Sequence, residues 1–301
     1  MTVTRAITTA GAGEQRLHAP RRRMTPKRFL RKYLVGIIAI LVSIVVFLVP
    51  FIFILLEAAK NPHEAGLMGF TLPTSWQFLQ NLNAVIQYNS FQVVAAFINS
   101  FVLTVVSVAI MVVFSAMCGY LLQRRRSRLN PVVNFLVLAG LIVPPAVVPT
   151  IWVLQGIGLF DTLPGMILIE ATLGLSFSIL LFRAFVATIP RELDEAAIID
   201  GAGSMRLFFR VILPLLRPVV VTVVVVQAVA VFNDFTGPLY FLPSSNNPTV
   251  QLTLYNFQSQ SVSQYNLLFM NILLITIPPL IMYIFFNRQI VAGMTSGAVK
   301  G

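Results

Sequence analysis

Six apolar stretches, each long enough to cross a bilayer, limit what this chain can become. They run over residues 34–56, 93–122, 132–154, 165–187, 219–242 and 267–286. A helical span needs about 20 apolar residues. In hydrocarbon every backbone polar group must find its partner inside the protein, which leaves helices or a closed barrel. Runs of this length without alternation predict helices, so the expected fold is an all-α membrane protein with six transmembrane helices. The composition, 57% hydrophobic and only 10% charged, excludes an ordinary soluble domain. The first run is longer than the apolar core of a cleavable signal and reads as a retained span. The single cysteine, Cys118, permits no disulfide within the chain, and His18 and His63 are too few and too distant for a metal site.

The polar segments set the orientation. Residues 1–32 form a basic N-terminal segment, residues 33–288 the six-span domain, and residues 289–301 a C-terminal tail. With six spans, the N-terminal segment, the turn Arg124–Arg128, the loop 189–218 and the tail share one side. Of 21 Lys and Arg, only Lys60 falls on the other. The positive-inside rule makes the basic side cytoplasmic. The net charge of +11 then reads as an orientation signal and a contact to anionic lipid, with no nucleic-acid partner. Residues 57–90, with Pro62, Pro73 and Trp76, are expected as an irregular external segment.

The loop 189–218 is both charged and helix-forming, and holds four of the ten carboxylates: Glu192, Asp194, Glu195 and Asp200. Pro190 suits a first helical turn, and the acids after it complement the positive end of the helix dipole. Gly201 and Gly203 are placed to end that helix. Ser204 is placed to cap a second, Met205–Leu213, closed by Pro214 and Pro218. Leu193, Ile198 and Ile199 do not share one face, so the first helix must be surrounded by protein.

Glu195-Ala196-Ala197, then Gly201, then Val211-Ile212-Leu213-Pro214, resembles the EAA signature of bacterial ABC importer permeases, with Val211 where the usual pattern has Ile. The resemblance implies a type I permease fold and a coupling helix docked in a cleft of an ATP-binding subunit. Carried over, Glu195 would pair with a basic residue of the ATPase. Ala196 and Ala197 would allow close approach, Gly201 the turn, and Leu213 and Pro214 the seating of the second helix. Asp200 belongs to the same docking surface.

The chain has no phosphate-binding loop of its own. The pattern GxxxxGK[ST] needs a lysine between Gly and Ser or Thr, and Lys27, Lys32, Lys60 and Lys300 all lack those neighbours. No metalloprotease motif or Ser/His/Asp set is present, which argues against an enzyme. Glu170 and Asp234 are ionisable residues within apolar spans, rare positions that usually mark function. Asn99, Gln227, Asn233, Asp234 and also Asn271 are candidates for hydrogen bonds to a polyol along a substrate path. Interhelical hydrogen bonding is the alternative for each. Prolines 144, 145, 149, 278 and 279, and Gly237-Pro238, predict broken or kinked helices.

Phe232-Asn233-Asp234-Phe235-Thr236-Gly237-Pro238-Leu239 and the ending Gly293-Met294-Thr295-Ser296-Gly297-Ala298-Val299-Lys300-Gly301 resemble the carbohydrate-importing branch, in particular its maltose-type second permease subunit. That implies a bacterial inner-membrane location with both termini cytoplasmic and a tail that reaches into the ATPase dimer. The implied partners are a second homologous permease, two ATP-binding subunits, an extracytoplasmic solute-binding protein and a sugar. ATP and Mg²⁺ would be held by the ATPase and no cofactor by this chain. A non-sugar ABC importer, and an ion-coupled secondary transporter using Glu170 or Asp234, are the alternative readings.

Overall fold

A computed structural model describes residues 26–257 and 264–296. The described residues are helical or irregular. In chain order the helices are α1 (Pro26–Ala59), α2 (Pro62–Gly66), α3 (Phe78–Arg124), α4 (Asn130–Ile142), α5 (Val147–Gly156), α6 (Leu163–Val186), α7 (Glu192–Ile199), α8 (Ser204–Leu215), α9 (Arg217–Asn233), α10 (Thr236–Phe241) and α11 (Tyr265–Ser296), with a 3-10 turn at Leu252–Phe257. The chain divides into two compact units, residues 1–51 and 52–301. The described part of the first is helical throughout; the second holds the site.

Among the described residues, four helical stretches are long and apolar enough to cross a membrane: Tyr33–Ala59, Phe78–Arg124, Leu163–Val186 and Tyr265–Asn287. Two bent pairs bring the count to six if each is one span: α4 with α5, bent by 116°, and α8 with α9, bent by 76°. The first bend falls at Pro144 and Pro145, where neither proline can donate a helical N–H. The second falls at Leu216, just before Pro218 enters the first turn of α9.

Two boundaries differ from expectation. The external segment 57–90 is partly helical, because α2 and the first turns of α3 lie inside it. Buried Asn81 of α3 donates to Ala58 O and Lys60 O, both at 2.9 Å, and so satisfies carbonyls at the end of α1. Lys60 is itself buried, bonded at 2.5 Å to Glu57 and to Gly69 O. Within α3 the helix breaks at Tyr88–Phe91, where Asn89, Ser90 and Phe91 have φ of 44°, 56° and 64°. The sixth helix runs past Phe286 to Ser296, so the first part of the expected tail is helical. Residues 1–25 of the basic segment and residues 297–301 of the tail lie outside the described residues.

The core of the second unit is built on α3 against α6. Small buried residues, Ser107, Ser115, Ala116 and Gly119, let the two backbones approach. A side chain at Gly119 would stand 2.9 Å from Arg183 N and from Phe182 Cβ. Packing of this kind supplies association between helices that are apolar on all sides, where lipid offers no hydrophobic contrast. One apolar cluster, with Ala116, Phe182, Val186, Ile189, Leu207, Phe208, Ile212 and Leu216, ties these helices to α7 and α8.

Candidate functional site: the loop α7–α8 and the α6–α9 groove

The loop 189–218 folds as two helices about a glycine turn. Glu192, Asp194 and Glu195 occupy the first turn of α7, where the orphan N–H groups and the dipole favour negative charge. Pro190 stands before the cap residue Arg191, one step outside the turn predicted for it. Gly201, with φ of 79°, ends the helix. Its N–H donates to Ile198 O at 3.0 Å and that of Ala202 to Ala197 O at 2.9 Å, the paired bonds of a Schellman motif. Gly203, not Ser204, occupies the cap position of α8, and Ser204 is its first residue. The second helix passes through a π turn at Phe208–Ile212 and continues past Pro214 to Leu215, so Pro214 sits inside it. A proline in that final turn follows the wider π spacing, which relaxes the demand for its missing N–H.

The inner side of this loop is anchored. Ala197, Leu207, Phe208 and Ile212 pack under Phe182, Val186 and Ile189. Arg124, the last residue of α3, places Nε 2.7 Å from Asp194 Oδ2, with both side chains about one-tenth exposed or less (9% and 12%). Its Nη2 donates to Ile189 O at 2.8 Å. Burial pushes the Asp194 carboxyl above the usual carboxylate range, while the charges of Arg124 and Arg191 pull it back down. A cavity of about 520 Å³ opens beside the ion pair, lined by Tyr120, Arg124, Arg125, Asp194, Ile198 and Met205 among others.

The outer side is open. Leu193 is 41% exposed, Ile198 58% and Ile199 84%. Glu195, Ala196, Asp200, Gly201 and Pro214 are exposed too, with Leu213 half-buried. This exposed side of α7 is thus both apolar and acidic. Arg124 and Asp194 carry the anchoring, and neither was singled out for it from the sequence. Arg124 reads there as one of a basic turn and Asp194 as one of several helix-start acids, since their pairing spans 70 residues of chain.

The intramembrane polar residues divide into two groups. Glu170, Gly174 and Phe177 on α6 face Gln227 and Asn233 on α9, and Asp234 just past its end, across a groove of about 600 Å³. Gln227 donates to Gly174 O and Ser178 Oγ, both at 3.1 Å, and Asn233 to Val229 O at 3.0 Å. Asn99 and Asn271 lie elsewhere. Asn99 donates to Pro248 O at 3.0 Å and fully buried Asn271 to Thr253 Oγ1 at 2.9 Å. Both hold the segment before α11. No group of three or more His, Cys, Asp or Glu able to hold a metal occurs among the described residues.

The sequence pattern of the family described as "Binding-protein-dependent transport system inner membrane component" matches residues 111–295, from the middle of α3 to the end of α11. The chain belongs to that family of ABC importer permeases. The match takes in the whole α7–α8 loop. This permease is 30% identical over 209 residues to the melibiose/raffinose/stachyose import permease protein of Bacillus subtilis, covering 68% of this chain and 76% of that protein. It is 30% identical over 260 residues to the diacetylchitobiose uptake system permease protein of Streptomyces coelicolor, covering 85% of each. In fold it matches a chain of a bacterial ABC transporter involved in the import of the acidic polysaccharide alginate, with a TM-score of 0.76 at 20% identity over 87% of this chain and 97% of that one. The permease is thus a non-catalytic, multi-pass inner-membrane component. A binding-protein-dependent ABC system implies an ATPase and a solute-binding protein as its partners. Membership of this family sets aside the ion-coupled secondary transporter.

Proposed function

We propose that this permease is one half of a heterodimeric, ATP-driven carbohydrate importer in a bacterial cytoplasmic membrane, and that α7 is its coupling helix. The sugar cargoes named for the two relatives above support the substrate class. The orientation of the basic segments supports cytoplasmic termini and a cytoplasmic α7. ATP and Mg²⁺ belong to the ATPase dimer.

The observation that carries the coupling role is the two-sided character of α7, exposed and apolar outward, ion-paired inward. Leu193, Ile198 and Ile199 enter the ATPase cleft, and Glu195 meets a basic residue there, with Ala196, Asp200 and Gly201 allowing close approach; Ala197, expected on the same surface, packs inward against the permease core instead. Leu213 and Pro214 hold α8 in register with α9. When the ATPase dimer closes, α7 moves with its cleft. The Arg124–Asp194 pair and the cluster around Phe208 pass that motion to α3 and α6. The permease pair then opens outward to the solute-binding protein, and hydrolysis resets it. The α6–α9 groove, with Gln227, Asn233 and Asp234, is the part of the path this chain contributes; Asn99 serves the path only by holding its outer loop.

Two measurements test this. A mild-detergent pull-down of the tagged chain from its native membrane should recover a second permease and a P-loop ATPase. Glu195→Lys should insert in the membrane normally and abolish ATP-coupled uptake. Recovery of the chain alone after cross-linking, or wild-type uptake by the variant, overturns the proposal.

A further inference from the structure

The cavity of about 520 Å³ beside the Arg124–Asp194 pair is within the size range of small-molecule sites, about 300–1,000 Å³. One wall is a single face of α3, on which Met117, Tyr120, Leu121, Arg124 and Arg125 recur at three and four residues. Polarity is graded along that face. Arg124 and Arg125 stand where α3 leaves its apolar span, and Met117 lies about 12 Å further into the span along the helix axis. Tyr120 is between them, its ring 5.8 Å from that of Phe208 on α8. A tyrosine at this depth, apolar in body and polar at its tip, is typical of a membrane interface.

The polar end is electrically incomplete. Two guanidinium groups line it against one carboxylate, Asp194. Arg124 is taken up by Asp194 and Ile189 O, so the surplus positive charge is that of Arg125. Arg125 is exposed and forms no ion pair among the described residues. Asp194 keeps Oδ1 without a hydrogen-bond donor. An occupant that completes this end brings one negative charge for Arg125 and donors beside Asp194. One that fits the inner end brings hydrocarbon to Met117, Leu121 and Phe208. A free phosphate lacks the second part. A zwitterionic head would bring an ammonium group up to two arginines, where like charges repel. An anionic head with hydroxyl groups on an acyl chain has both parts, in the order in which the bilayer presents them.

We propose that this cavity holds one anionic glycerophospholipid of the phosphatidylglycerol type, with its phosphate on Arg125, its head hydroxyls beside Asp194 and the start of an acyl chain along Leu121 and Met117. This rests on the reading of α7 and α8 as a cytoplasmic coupling loop. Bound there, the lipid bridges α3 to α7 and α8, and the composition of the cytoplasmic leaflet sets how firmly the joint is held.

The test uses the assembled transporter without nucleotide, with Cys118→Ser as background and Ala202→Cys as a half-buried thiol on the cavity wall. Its labelling by N-ethylmaleimide, an uncharged reagent, is followed on this chain by mass spectrometry, in nanodiscs of phosphatidylcholine alone and of an equal mixture with phosphatidylglycerol. The mixture should slow labelling about tenfold, as for a site roughly nine-tenths occupied. Arg125→Gln should cut that protection to about threefold, the effect of one cation lost at an anionic surface, and Arg125→Lys should keep most of it. Arg126→Gln, on the same turn but outside the cavity, should leave it unchanged, and a thiol at Ser127→Cys should label equally in both lipids. Phosphatidylethanolamine in place of phosphatidylglycerol, or soluble glycerol 3-phosphate added to phosphatidylcholine discs, should protect little. Equal rates at Ala202→Cys in the two lipids, equal losses from Arg125→Gln and Arg126→Gln, equal protection of Ser127→Cys, protection by phosphatidylethanolamine or glycerol 3-phosphate as strong as by phosphatidylglycerol, or a thiol that reacts in neither lipid overturns the proposal. None of these readouts uses ATP or sugar, so their failure leaves the coupling role of α7 standing, and failure of the Glu195→Lys experiment leaves them interpretable.

Discussion

The α7–α8 loop and the α6–α9 groove both bring carboxylates together, and they treat charge in opposite ways. In the loop, Asp194 is ion-paired inward with Arg124, although its Oδ1 has no donor, while Glu195 and Asp200 remain exposed to solvent. In the groove, Glu170 and Asp234 face each other with no basic residue beside them, and Glu170 keeps an oxygen without a donor. A buried ion pair completed within the chain is a mechanical joint. A buried acid left incomplete is a demand on something the chain does not contain. The first suits transmission of motion, the second contact with a solute.

The comparison is broken most directly at Arg124. Arg124→Ala leaves Asp194 buried without its counter-ion, at a cost of about 3 kcal/mol, the lower end for breaking a buried pair. The expected result is a complex that still assembles but in which solute-loaded binding protein no longer stimulates ATP hydrolysis. The reversed pair, Arg124→Asp with Asp194→Arg, should recover part of that stimulation. Wild-type stimulation in Arg124→Ala would make the contact incidental.

The outward face of α7 predicts the next largest effect. Ile199→Asp replaces the most exposed apolar side chain on α7 with a charge that cannot be buried in a cleft. Losing the burial of one such side chain costs about 2 kcal/mol, or roughly thirtyfold in affinity. Titration of purified ATPase against the permease complex measures it, and an unchanged affinity would mean that α7 docks by charge alone.

The glycine turn should matter less. Gly201→Ala forces a side chain into a left-handed conformation at a cost of about 1 kcal/mol. Thermal unfolding in detergent should register a small fall in midpoint, with uptake largely retained.

The smallest effect is pH dependence at Asp194. Because burial raises its carboxyl, the folded chain holds that proton more readily than the unfolded chain does. Its contribution to stability is therefore greatest below its folded pKa and declines as pH rises through that value, above the ordinary carboxylate range. Arg124 offsets the decline, so the deficit of Arg124→Ala should grow with rising pH, and that growth should vanish when Asp194→Asn is added. A deficit that is flat with pH would show that Arg124 acts only through Ile189 O.

Much of this protein was legible from its residues alone. Apolar runs longer than a bilayer is thick gave helices, because hydrocarbon allows a chain no other open structure. The sidedness of Lys and Arg set an expected orientation, and the residues from Pro190 to Pro218 announced a loop of two helices about a glycine turn. Short-range chemistry was readable too where the backbone had one answer, as at Gly201 and at Pro144-Pro145. The boundary that escaped at 57–90 is a place where tertiary contacts, such as those of Asn81 with Ala58 O and Lys60 O, support helix that composition alone would not continue.

What the tertiary structure alone decided is which charges meet. Arg124 and Asp194 lie 70 residues apart, and Glu170 and Asp234 lie 64 apart. No local pattern links either pair, because α3, α6 and α9 come together through small residues such as Gly119 and Gly174, whose role is visible only when the opposing helix is in place. Sequence determines which helices form because hydrogen bonding and hydrophobicity are nearly local quantities. Packing determines which side chains face each other across the gaps, and in this permease the joint and the groove are both made there.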